Sequence, residues 1–531
     1  MNIFTQIKNA NTHNMDQKAI SMSMDSGEIK VLTYSDLFQK VEKTSLAISQ
    51  LGISPGDKVA IIAENSPEWV IAYLAIAKMN CTSVLIDASL SRNETNQLLA
   101  PSDAVLAIIS PKTLEKMDSQ DFVMALANIY DINTPFEGNS SVVKQTEQSL
   151  ANRDETIANI IFSSGTTRKA AGIMHTHESM LHSTEMCLNE INMRKDEERF
   201  LALLPSSHIY GIVCTLIGPL LIGAEIRFVE SITRNGILVI FAEYKPTIFP
   251  AVPKMLDLFS SQIKRKISND KKTKVLFDMF FPVCYFLRKN FNINLGKTLF
   301  KSIHEGFGGA LDIICSAGAP LDKETADFYY GCGLNVLITY GATETNIPTL
   351  GNLRHNITTD SCGQPYPDVS VKLSESGEIL IKSPYMMKGY YNDEESTAAA
   401  FEDGWFLTGD TAVVDNKGFY HVNGRVKDSI VLSTGKKVAP DSIEAFYSGL
   451  AGVLEFVICG IPVGAGGSDE VHAFIVAEQE EIHENIKKAI HEIDKTLSAS
   501  MKIMRIHFVE SIPRTSLQKP KRYLLRASLM A

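Results

Sequence analysis

The first hundred residues alternate apolar runs typical of buried strands with a stretch typical of a helix. Lys58–Ala63 and Thr82–Ile86 are short apolar runs that predict two buried strands. Between them, Ser66 is a suitable helix N-cap and Pro67 a suitable first-turn residue, which predicts a helix ending near Met79. A strand, a helix and a strand in this order form a βαβ unit, so we expect a parallel sheet covered on both faces.

The pattern changes in the second half of the chain. Val369–Leu373 and Gly377–Lys382 alternate apolar and polar residues around a short turn, which predicts a pair of antiparallel strands. Phe419–Val422 adds a further strand, and together these runs suggest a β-barrel-like subdomain. We therefore predict an α/β fold whose large N-terminal domain, residues 1–424, contains covered, mixed or parallel sheets plus this subdomain. A hinge joins it to a small, mobile α+β C-terminal domain, residues 425–531.

Composition restricts the class of protein. With 531 residues the chain is too long for one ordinary core, and 45% hydrophobic with 21% charged residues is typical of a soluble globular protein. A net charge of -10 argues against general nucleic-acid binding. The eight cysteines are scattered without a C-x-x-C pair, and the most apolar run, residues 209–224, is shorter than a membrane span. We therefore expect a cytoplasmic protein.

Residues 264–301 differ from the rest of the chain in charge. They contain ten basic and two acidic residues, a local net charge of +8. The basic residues flank an aromatic, apolar stretch, Val275–Leu287, which suits peripheral contact with a membrane surface. A core helix with a solvated basic face explains the same pattern, so both interpretations stay open.

A run of small polar residues follows the apolar stretch Asn159–Phe162 and is a candidate phosphate site. This run, here named the anion loop, consists of Ser163, Ser164, Gly165, Thr166, Thr167, Arg168 and Lys169. Small side chains let main-chain N–H groups approach an anion closely, so a strand that opens into such a loop can hold phosphates. On its own a Ser-Gly-Thr-Thr stretch is more often a polar surface turn. It is not a Walker A loop, because no Gly-Lys-Ser/Thr follows at the required spacing.

Four further motifs follow the anion loop in order. They are Tyr340-Gly341-Ala342-Thr343-Glu344, Gly404–Asp410, Gly424–Asp428 and a late Lys519. Together, the five motifs resemble those of the adenylate-forming, AMP-binding superfamily of acyl-CoA synthetases, adenylation domains and luciferases. The resemblance covers nearly the whole chain. Residues 264–301, leading to Cys315–Leu321, look like the long-chain fatty acyl branch of this superfamily.

The resemblance implies an enzyme that uses ATP, Mg²⁺ and CoA. A carboxylate, here a medium- or long-chain fatty acid, would attack the α-phosphorus of ATP, and a thiol would then displace AMP from the acyl-adenylate. Because both partners of the first step are anions, positioning and charge neutralisation carry the reaction. Two alternatives stay open. One is a ligase that delivers the acyl group to the phosphopantetheine of a carrier protein, and the other is a non-catalytic nucleotide- or acyl-binding relative.

The resemblance also implies roles for individual residues. Those that it assigns to the nucleotide are the anion loop, the adenine pocket Gly318, Ala319 and Pro320, the stacking Tyr340 with Gly341, the α-phosphate contact Thr343, the magnesium ligand Glu344, the ribose ligand Asp410 and the interdomain Arg425. Those that it assigns to the acyl group and its transfer are the pocket residues His208 and Ala342, the hinge Lys427, Gly435 beside the thiol tunnel and the adenylation lysine Lys519. Lys519, Glu344 and Thr343 are the residues expected to be catalytic.

The anion loop departs from the superfamily pattern. Where relatives have glycine, proline and lysine, this chain has Arg168, Ala170 and Ala171. Gln518 also replaces the glycine that many relatives have before the last lysine. We expect Arg168 or Lys169 to compensate for the missing lysine, because arginine can donate two N–H groups to one phosphate. The alternative is a loop that binds phosphates weakly in a binding protein.

Overall fold

The structure is a computed structural model in which two compact units are described. The described residues are 1–116, 129–131, 156–162, 171–231, 236–346, 348–426, 428, 430–431, 437–447, 449–463, 468–498, 501–514 and 520–529. The first unit contains the described residues up to Val369 together with Ser383–Ala399, and the second contains Ser370–Lys382 and the described residues from Ala400 onward. The predicted domain boundary at residue 424 stays a prediction.

A seven-stranded sheet in the first unit confirms the predicted βαβ unit. Lys58–Ile62 and Thr82–Leu85 are parallel neighbours, and the helix between them is Pro67–Lys78. Ser66 caps that helix by accepting a hydrogen bond from the main-chain N–H of Trp69 at 3.1 Å. The strand order is Gly389–Tyr390, Gly172–Thr176, Ile157–Phe162, Thr82–Leu85, Lys58–Ile62, Leu106–Ile109 and Ile129–Asp131. Only the pairings of Gly172–Thr176 are antiparallel among these described strands.

A nine-stranded sheet in the same unit carries the second group of motifs. Its strand order is Gln364–Pro365, Leu350–Gly351, Asn335–Tyr340, Ile313–Ser316, Ile248–Ala251, Arg199–Leu201, Glu225–Val229, Lys18–Ser23 and Ile29–Thr33. The pairings from Asn335–Tyr340 to Lys18–Ser23 are parallel. The carboxyl ends of Ile313–Ser316 and Asn335–Tyr340 therefore lie side by side, which is where open α/β sheets bind their ligands.

Helices cover these sheets. Those of the first unit are Ile3–Ala10, Tyr34–Gln50, Pro67–Lys78, Arg92–Leu99, Pro111–Lys116, His177–Glu190, Ile209–Ile212, Gly218–Leu221, Gly236–Tyr244, Pro253–Asn269, Lys271–Phe291, Gly296–Leu299, Lys301–Gly306, Lys323–Gly331 and Glu394–Ala399. The apolar run 209–224 is mostly buried, as expected for a core segment, and contains a π-helical turn at Val213–Ile217. Among the helices that the structure describes, none combines the length and the apolar character needed to cross a bilayer.

The second unit is built from antiparallel strands and an α+β portion. The predicted strands are confirmed as Ser370–Leu373, Glu378–Lys382 and Tyr420–Arg425, which pair directly or through Trp405–Val414 in one sheet with Phe401–Glu402. The remaining strands are Ile430–Val431 with Lys437–Val438, and Val453–Val463 with Ser468–Ala477 and Arg505–Phe508. Helices Pro440–Glu444, His483–Asp494 and Arg522–Ala527 complete this unit.

Candidate active site

The predicted nucleotide motif forms a tight turn at the end of a central strand. Tyr340 ends its strand, and a 3₁₀ turn at Thr343–Thr345 follows. The Thr345 hydroxyl accepts a hydrogen bond from the N–H of Ala342 at 2.9 Å and donates to the carbonyl of the same residue at 3.0 Å. Asn346 then adopts a left-handed φ of 74°, and its side-chain amide donates to Ser183 Oγ at 2.9 Å. These bonds fix the path of the main chain through the turn.

Glu344, the predicted magnesium ligand, accepts a hydrogen bond from a tyrosine that belongs to none of the predicted motifs. The Tyr390 hydroxyl donates a hydrogen bond to Glu344 Oε1 at 3.1 Å. The main-chain carbonyl of Glu344 accepts a second bond, from the N–H of Met387 at 2.8 Å. Burial, reinforced by the Glu344 carboxylate, raises the pKa of Tyr390 well above its usual value. Tyr390 therefore keeps its proton and stays a donor to the carboxylate at physiological pH.

The residues around Glu344 fit a magnesium ion that takes most of its ligands from the substrate. Among the described residues, no group of three or more His, Cys, Asp or Glu side chains could hold a metal by itself. Mg²⁺ characteristically binds one or two carboxylates and fills its shell with phosphate oxygens and water. A single oriented carboxylate at the end of a parallel strand suits this mode, so Glu344 stays the predicted ligand.

The predicted adenine pocket lies beside this turn. Strand Ile313–Ser316 runs parallel to Asn335–Tyr340, with Ser316 opposite Ile338, and Gly318 follows two residues later. Gly318 has a φ of 89°, a conformation that side chains rarely adopt, and this explains the glycine here. Gly318, Ala319 and Pro320 thus leave the sheet at the same edge as Tyr340 and Gly341. Their roles in binding adenine stay predictions.

In the second unit, the predicted ribose and interdomain residues form an ion pair. Asp410 and Arg425 are opposite each other on antiparallel strands, and Arg425 Nε donates to Asp410 Oδ1 at 2.9 Å. The preceding Gly409 has a φ of 69°, and its N–H donates to Glu378 Oε1 at 2.8 Å. The structure thus brings together two residues that are distant in sequence. A ribose on Asp410 would share the carboxylate with Arg425.

His208, predicted to line the acyl pocket, pairs with a buried aspartate. His208 Nε2 lies 3.1 Å from Asp87 Oδ2, and both side chains are nearly buried. Burial alone would raise the pKa of Asp87, but the hydrogen bond and charge of His208, with bonds from Ser89, hold it well below its usual value. The carboxylate therefore fixes the imidazole orientation. Asp87 follows a predicted strand end, which was the only signal that could have found it.

Three partly buried thiols, Cys187, Cys214 and Cys315, are here named the thiol cluster, and Cys315 lies on the strand that leads to the predicted adenine pocket. Cys315 precedes Gly318 by three residues, and its carbonyl accepts a hydrogen bond from the Tyr210 hydroxyl at 2.7 Å. Burial raises the pKa of each thiol, and the charge of an ionised Cys315 would raise the pKa values of Cys187 and Cys214 further. Each nevertheless keeps part of its surface accessible. Thiols behave as small apolar groups, so these three side chains make their surroundings apolar.

The other predicted site residues lie outside the described residues. They are Ser163, Ser164, Gly165, Thr166, Thr167, Arg168, Lys169, Lys427, Gly435 and Lys519. The residues that flank two of these segments are described. Phe162 pairs with Gly172 at the base of the anion loop. Arg514 pairs with Pro520 on either side of residues 515–519, so both segments begin and end at paired main-chain positions.

Comparisons with known proteins agree with this geometry. The profile of the AMP-binding enzyme family matches residues 7–391. The chain is 26% identical over 522 residues to the long-chain-fatty-acid–CoA ligase FadD13 of Mycobacterium tuberculosis, covering 94% of this chain and 93% of that protein. It is 25% identical over 530 residues to the long-chain-fatty-acid–CoA ligase of Bacillus subtilis, covering 92% and 89%.

Two solved structures show the same fold. The crystal structure of the anthranilate CoA ligase AuaEII in complex with anthranoyl-AMP matches with a TM-score of 0.78 at 20% identity, covering 99% of this chain and 97% of that chain. The o-succinylbenzoate CoA synthetase of Bacillus subtilis matches with a TM-score of 0.77 at 19% identity, covering 99% and 98%. These matches confirm the predicted α/β architecture with a smaller C-terminal domain.

Proposed function

This chain belongs to the family of AMP-binding enzymes, and from that premise we propose that it joins a medium- or long-chain fatty acid to the thiol of CoA. The protein is an acid–thiol ligase: a carboxylate oxygen bonds to the α-phosphorus of ATP and releases pyrophosphate. The thiol sulfur then bonds to the acyl carbon and releases AMP. The observation that carries the proposal is the Tyr340–Glu344 turn, whose carboxylate is oriented by Tyr390 beside the predicted adenine pocket.

The residues of the chain supply position and charge in this reaction. Glu344 would hold Mg²⁺, which when bound neutralises phosphate oxygens. Thr343 lies at the start of the same turn, where it can contact the α-phosphate. Lys519 offsets the charge of the two approaching anions. The protein itself provides no nucleophile, because the substrate carboxylate and the thiol perform both attacks.

The choice of a fatty acid rests on two observations. Relatives that span more than nine-tenths of this chain at 25–26% identity are named as long-chain-fatty-acid–CoA ligases. Cys315, three residues before Gly318, is also a half-buried thiol, and an apolar side chain at this position suits an alkyl chain better than a charged acid. CoA is preferred as acceptor for the first of these reasons, and the phosphopantetheine of a carrier protein remains the alternative.

Pyrophosphate exchange with a series of acids tests this proposal. We expect exchange with octanoate, laurate or palmitate to exceed that with acetate or benzoate by about tenfold or more, because each buried methylene adds binding energy. Addition of CoA, or of a holo carrier protein, then identifies the acceptor from the thioester formed. Exchange only with small acids would contradict the fatty-acid assignment.

The control for this experiment rebuilds the anion loop of the superfamily. Arg168→Gly/Ala170→Pro/Ala171→Lys restores the usual residues at three positions. If Arg168 or Lys169 compensates as expected, the rebuilt enzyme exchanges at a rate similar to that of the natural protein. If the natural protein shows no exchange with any acid and the rebuilt one does, the natural chain is a binding protein on a ligase scaffold.

We further propose that the enzyme contacts anionic membranes through one helix. Helix Lys271–Phe291 has two apolar faces. One packs into the protein core through Phe277, Phe280, Phe281 and Cys284. The other face, here named the outer stripe, is between 49% and 65% exposed and consists of Val275, Leu276, Met279, Val283 and Phe286. At about 100° per residue these five positions fall within one arc of about 100°.

The charge around the outer stripe favours anionic lipid as its partner. Lys271, Lys272 and Lys289 on the same helix are exposed, and so are Lys297 and Lys301 beyond it. An apolar stripe with flanking lysines is the arrangement of helices that lie in a membrane interface. A membrane position would also place the enzyme where fatty acids are concentrated. Of the two interpretations of this segment, the exposure of the outer stripe favours membrane contact over a purely structural helix.

Vesicle co-sedimentation tests the membrane contact. We expect binding to vesicles containing phosphatidylserine at about 0.1 M salt, weaker binding at about 1 M salt because charges are screened, and little binding to phosphatidylcholine alone. Met279→Ser/Val283→Ser/Phe286→Ser should weaken binding. The matched control is Leu238→Ser/Val239→Ser, which removes two apolar residues that are 46% and 53% exposed on another helix. Equal effects of the two variants, or binding that ignores salt, would contradict this interface.

A further inference from the structure

A row of buried polar side chains crosses three adjacent strands of the seven-stranded sheet. Ser83 lies opposite Asn159 on parallel strands, and Asn159 lies opposite His175 on antiparallel strands. Opposite residues share one face of a sheet, so the three side chains form a lateral line. Tyr73, on the helix Pro67–Lys78, faces Asn159. We name these four residues the buried polar row.

The buried polar row has unusual hydrogen bonding. All four residues are fully buried. The Ser83 and Tyr73 hydroxyls, both polar atoms of the Asn159 amide and both ring nitrogens of His175 lack a hydrogen bond of ordinary geometry to any described residue. Buried polar atoms are almost always satisfied by protein groups or ordered water. Six such atoms on facing side chains therefore indicate one hydrogen-bonded network within the row.

One end of the row faces the turn that carries Glu344. Two main-chain hydrogen bonds join the strand of His175 to this turn: the N–H of Met387 donates to the Glu344 carbonyl, and the N–H of Lys388 donates to the Met174 carbonyl, each at 2.8 Å. The Thr343 main chain also influences the His175 ring. Burial lowers the pKa of His175 to about 4, against a smaller opposing effect of the Thr343 main chain. The ring is therefore neutral at physiological pH, with one donor and one acceptor nitrogen. A neutral ring can donate towards Thr343 and accept from the rest of the row.

We propose that His175 is a positioning residue for the Tyr340–Glu344 turn. Its donor nitrogen bonds the main-chain carbonyl of Thr343, directly or through one ordered water, and Asn159, Ser83 and Tyr73 complete the network behind it. The network thereby sets where Thr343 and Glu344 stand relative to the sheet. The inference rests on the proposed function only in taking this turn as the Mg·ATP site.

A purely structural role accounts less well for the row. Apolar side chains of similar size would fill this position with no polar atoms left to satisfy. The two strands that carry Asn159 and His175 are also the two that flank the anion loop, pairing Phe162 with Gly172 at its base. The buried polar row thus connects the base of the anion loop, which is one predicted phosphate contact, with the turn that carries Thr343, which is the other.

Equilibrium binding of Mg·ATP to His175→Leu, measured by calorimetry, tests the proposal. We expect about tenfold weaker binding, as is usual when a group that orients a metal ligand is lost. His175→Gln keeps a donor of similar reach and should recover most of the affinity. The matched control is His177→Leu, since His177 is also a buried histidine but faces the N-terminal helix, with Nδ1 3.5 Å from the N–H of Ile3. That control should bind Mg·ATP normally.

A second measurement separates positioning from loss of folding. Thermal unfolding identifies any variant that fails to fold, and Asn159→Leu then replaces His175→Leu as the test of the network, with the same loss of affinity expected. Thioester formation from supplied acyl-adenylate should change little, because it needs no Mg·ATP. Equal affinities for His175→Leu and His177→Leu, or no recovery in His175→Gln, would overturn the proposal. Because binding is measured directly, these outcomes are distinct from failure of the fatty-acid assignment, which appears only in the exchange series.

Discussion

Lys519→Ala is expected to lower pyrophosphate exchange by about 100-fold or more while thioester formation from supplied acyl-adenylate persists. In the proposed mechanism, the Lys519 ammonium group offsets charge only while carboxylate and α-phosphate, both anionic, approach each other. The second half-reaction forms no such contact. The segment that carries this lysine has defined anchors: Arg514 pairs with Glu455 at 2.7 Å through Nε, and the Lys521 N–H donates to the Pro513 carbonyl at 2.7 Å.

The two half-reactions must be measured separately for this variant. Exchange of labelled pyrophosphate reports adenylation, and thioester yield from synthetic acyl-adenylate and CoA reports the second step. Lys521→Ala is a suitable control, since it removes a lysine two residues away and should retain exchange. If Lys519→Ala loses both half-reactions equally while its thermal unfolding is normal, the lysine does not act in adenylation alone.

Glu344→Gln is the second variant with a large expected effect. The amide keeps a hydrogen-bond acceptor for the Tyr390 hydroxyl but removes the charge that is proposed to hold Mg²⁺. We expect the Mg²⁺ concentration needed for half-maximal exchange to rise by about 10- to 100-fold. The maximal exchange rate should fall as well, because the phosphate charge is then less well neutralised. The measurement is a magnesium titration of exchange at saturating ATP and acid.

Tyr390→Phe should raise the magnesium requirement in the same way as Glu344→Gln but to a smaller extent. It removes one hydroxyl at 3.1 Å from Glu344 and leaves the carboxylate in place. The magnesium requirement should therefore rise less than in Glu344→Gln, by about 3- to 10-fold. An unchanged magnesium requirement in Glu344→Gln would show that Glu344 is not the ligand. A Tyr390→Phe variant as impaired as Glu344→Gln would show that the hydroxyl itself contacts the nucleotide.

Local sequence patterns predict secondary-structure elements well, but they predict contacts between distant residues poorly. The N-cap Ser66 and the strand predicted over Lys58–Ala63 follow from neighbouring residues, and the structure has the cap at Ser66 and the strand at Lys58–Ile62. Tyr390 and Glu344 are 46 residues apart, and their contact depends on how Gly389–Tyr390 joins the edge of a sheet. Nothing within either stretch encodes that pairing.

The same reason explains the other residues that sequence patterns did not reveal. Asp87 and His208 are 121 residues apart and meet only because the strand before Asp87 ends beside the apolar run at 209–224. The buried polar row needs the register of three strands, which hydrophobic patterns do not fix when each strand is buried on both faces. The roles assigned to the anion loop, Lys427, Gly435 and Lys519 stay predictions from the family pattern.

The short strand Gly389–Tyr390 is not expected to tolerate the insertion or deletion of a residue. Successive main-chain bonds join residues 387–391 to the rest of the unit: Met387 to Glu344, Lys388 to Met174 and Tyr391 to Gly172. Inserting or deleting one residue here would shift this register and turn Tyr390 to the opposite face of the sheet, away from Glu344. A stretch without any motif of its own is thus as intolerant of insertion as the motif that it supports.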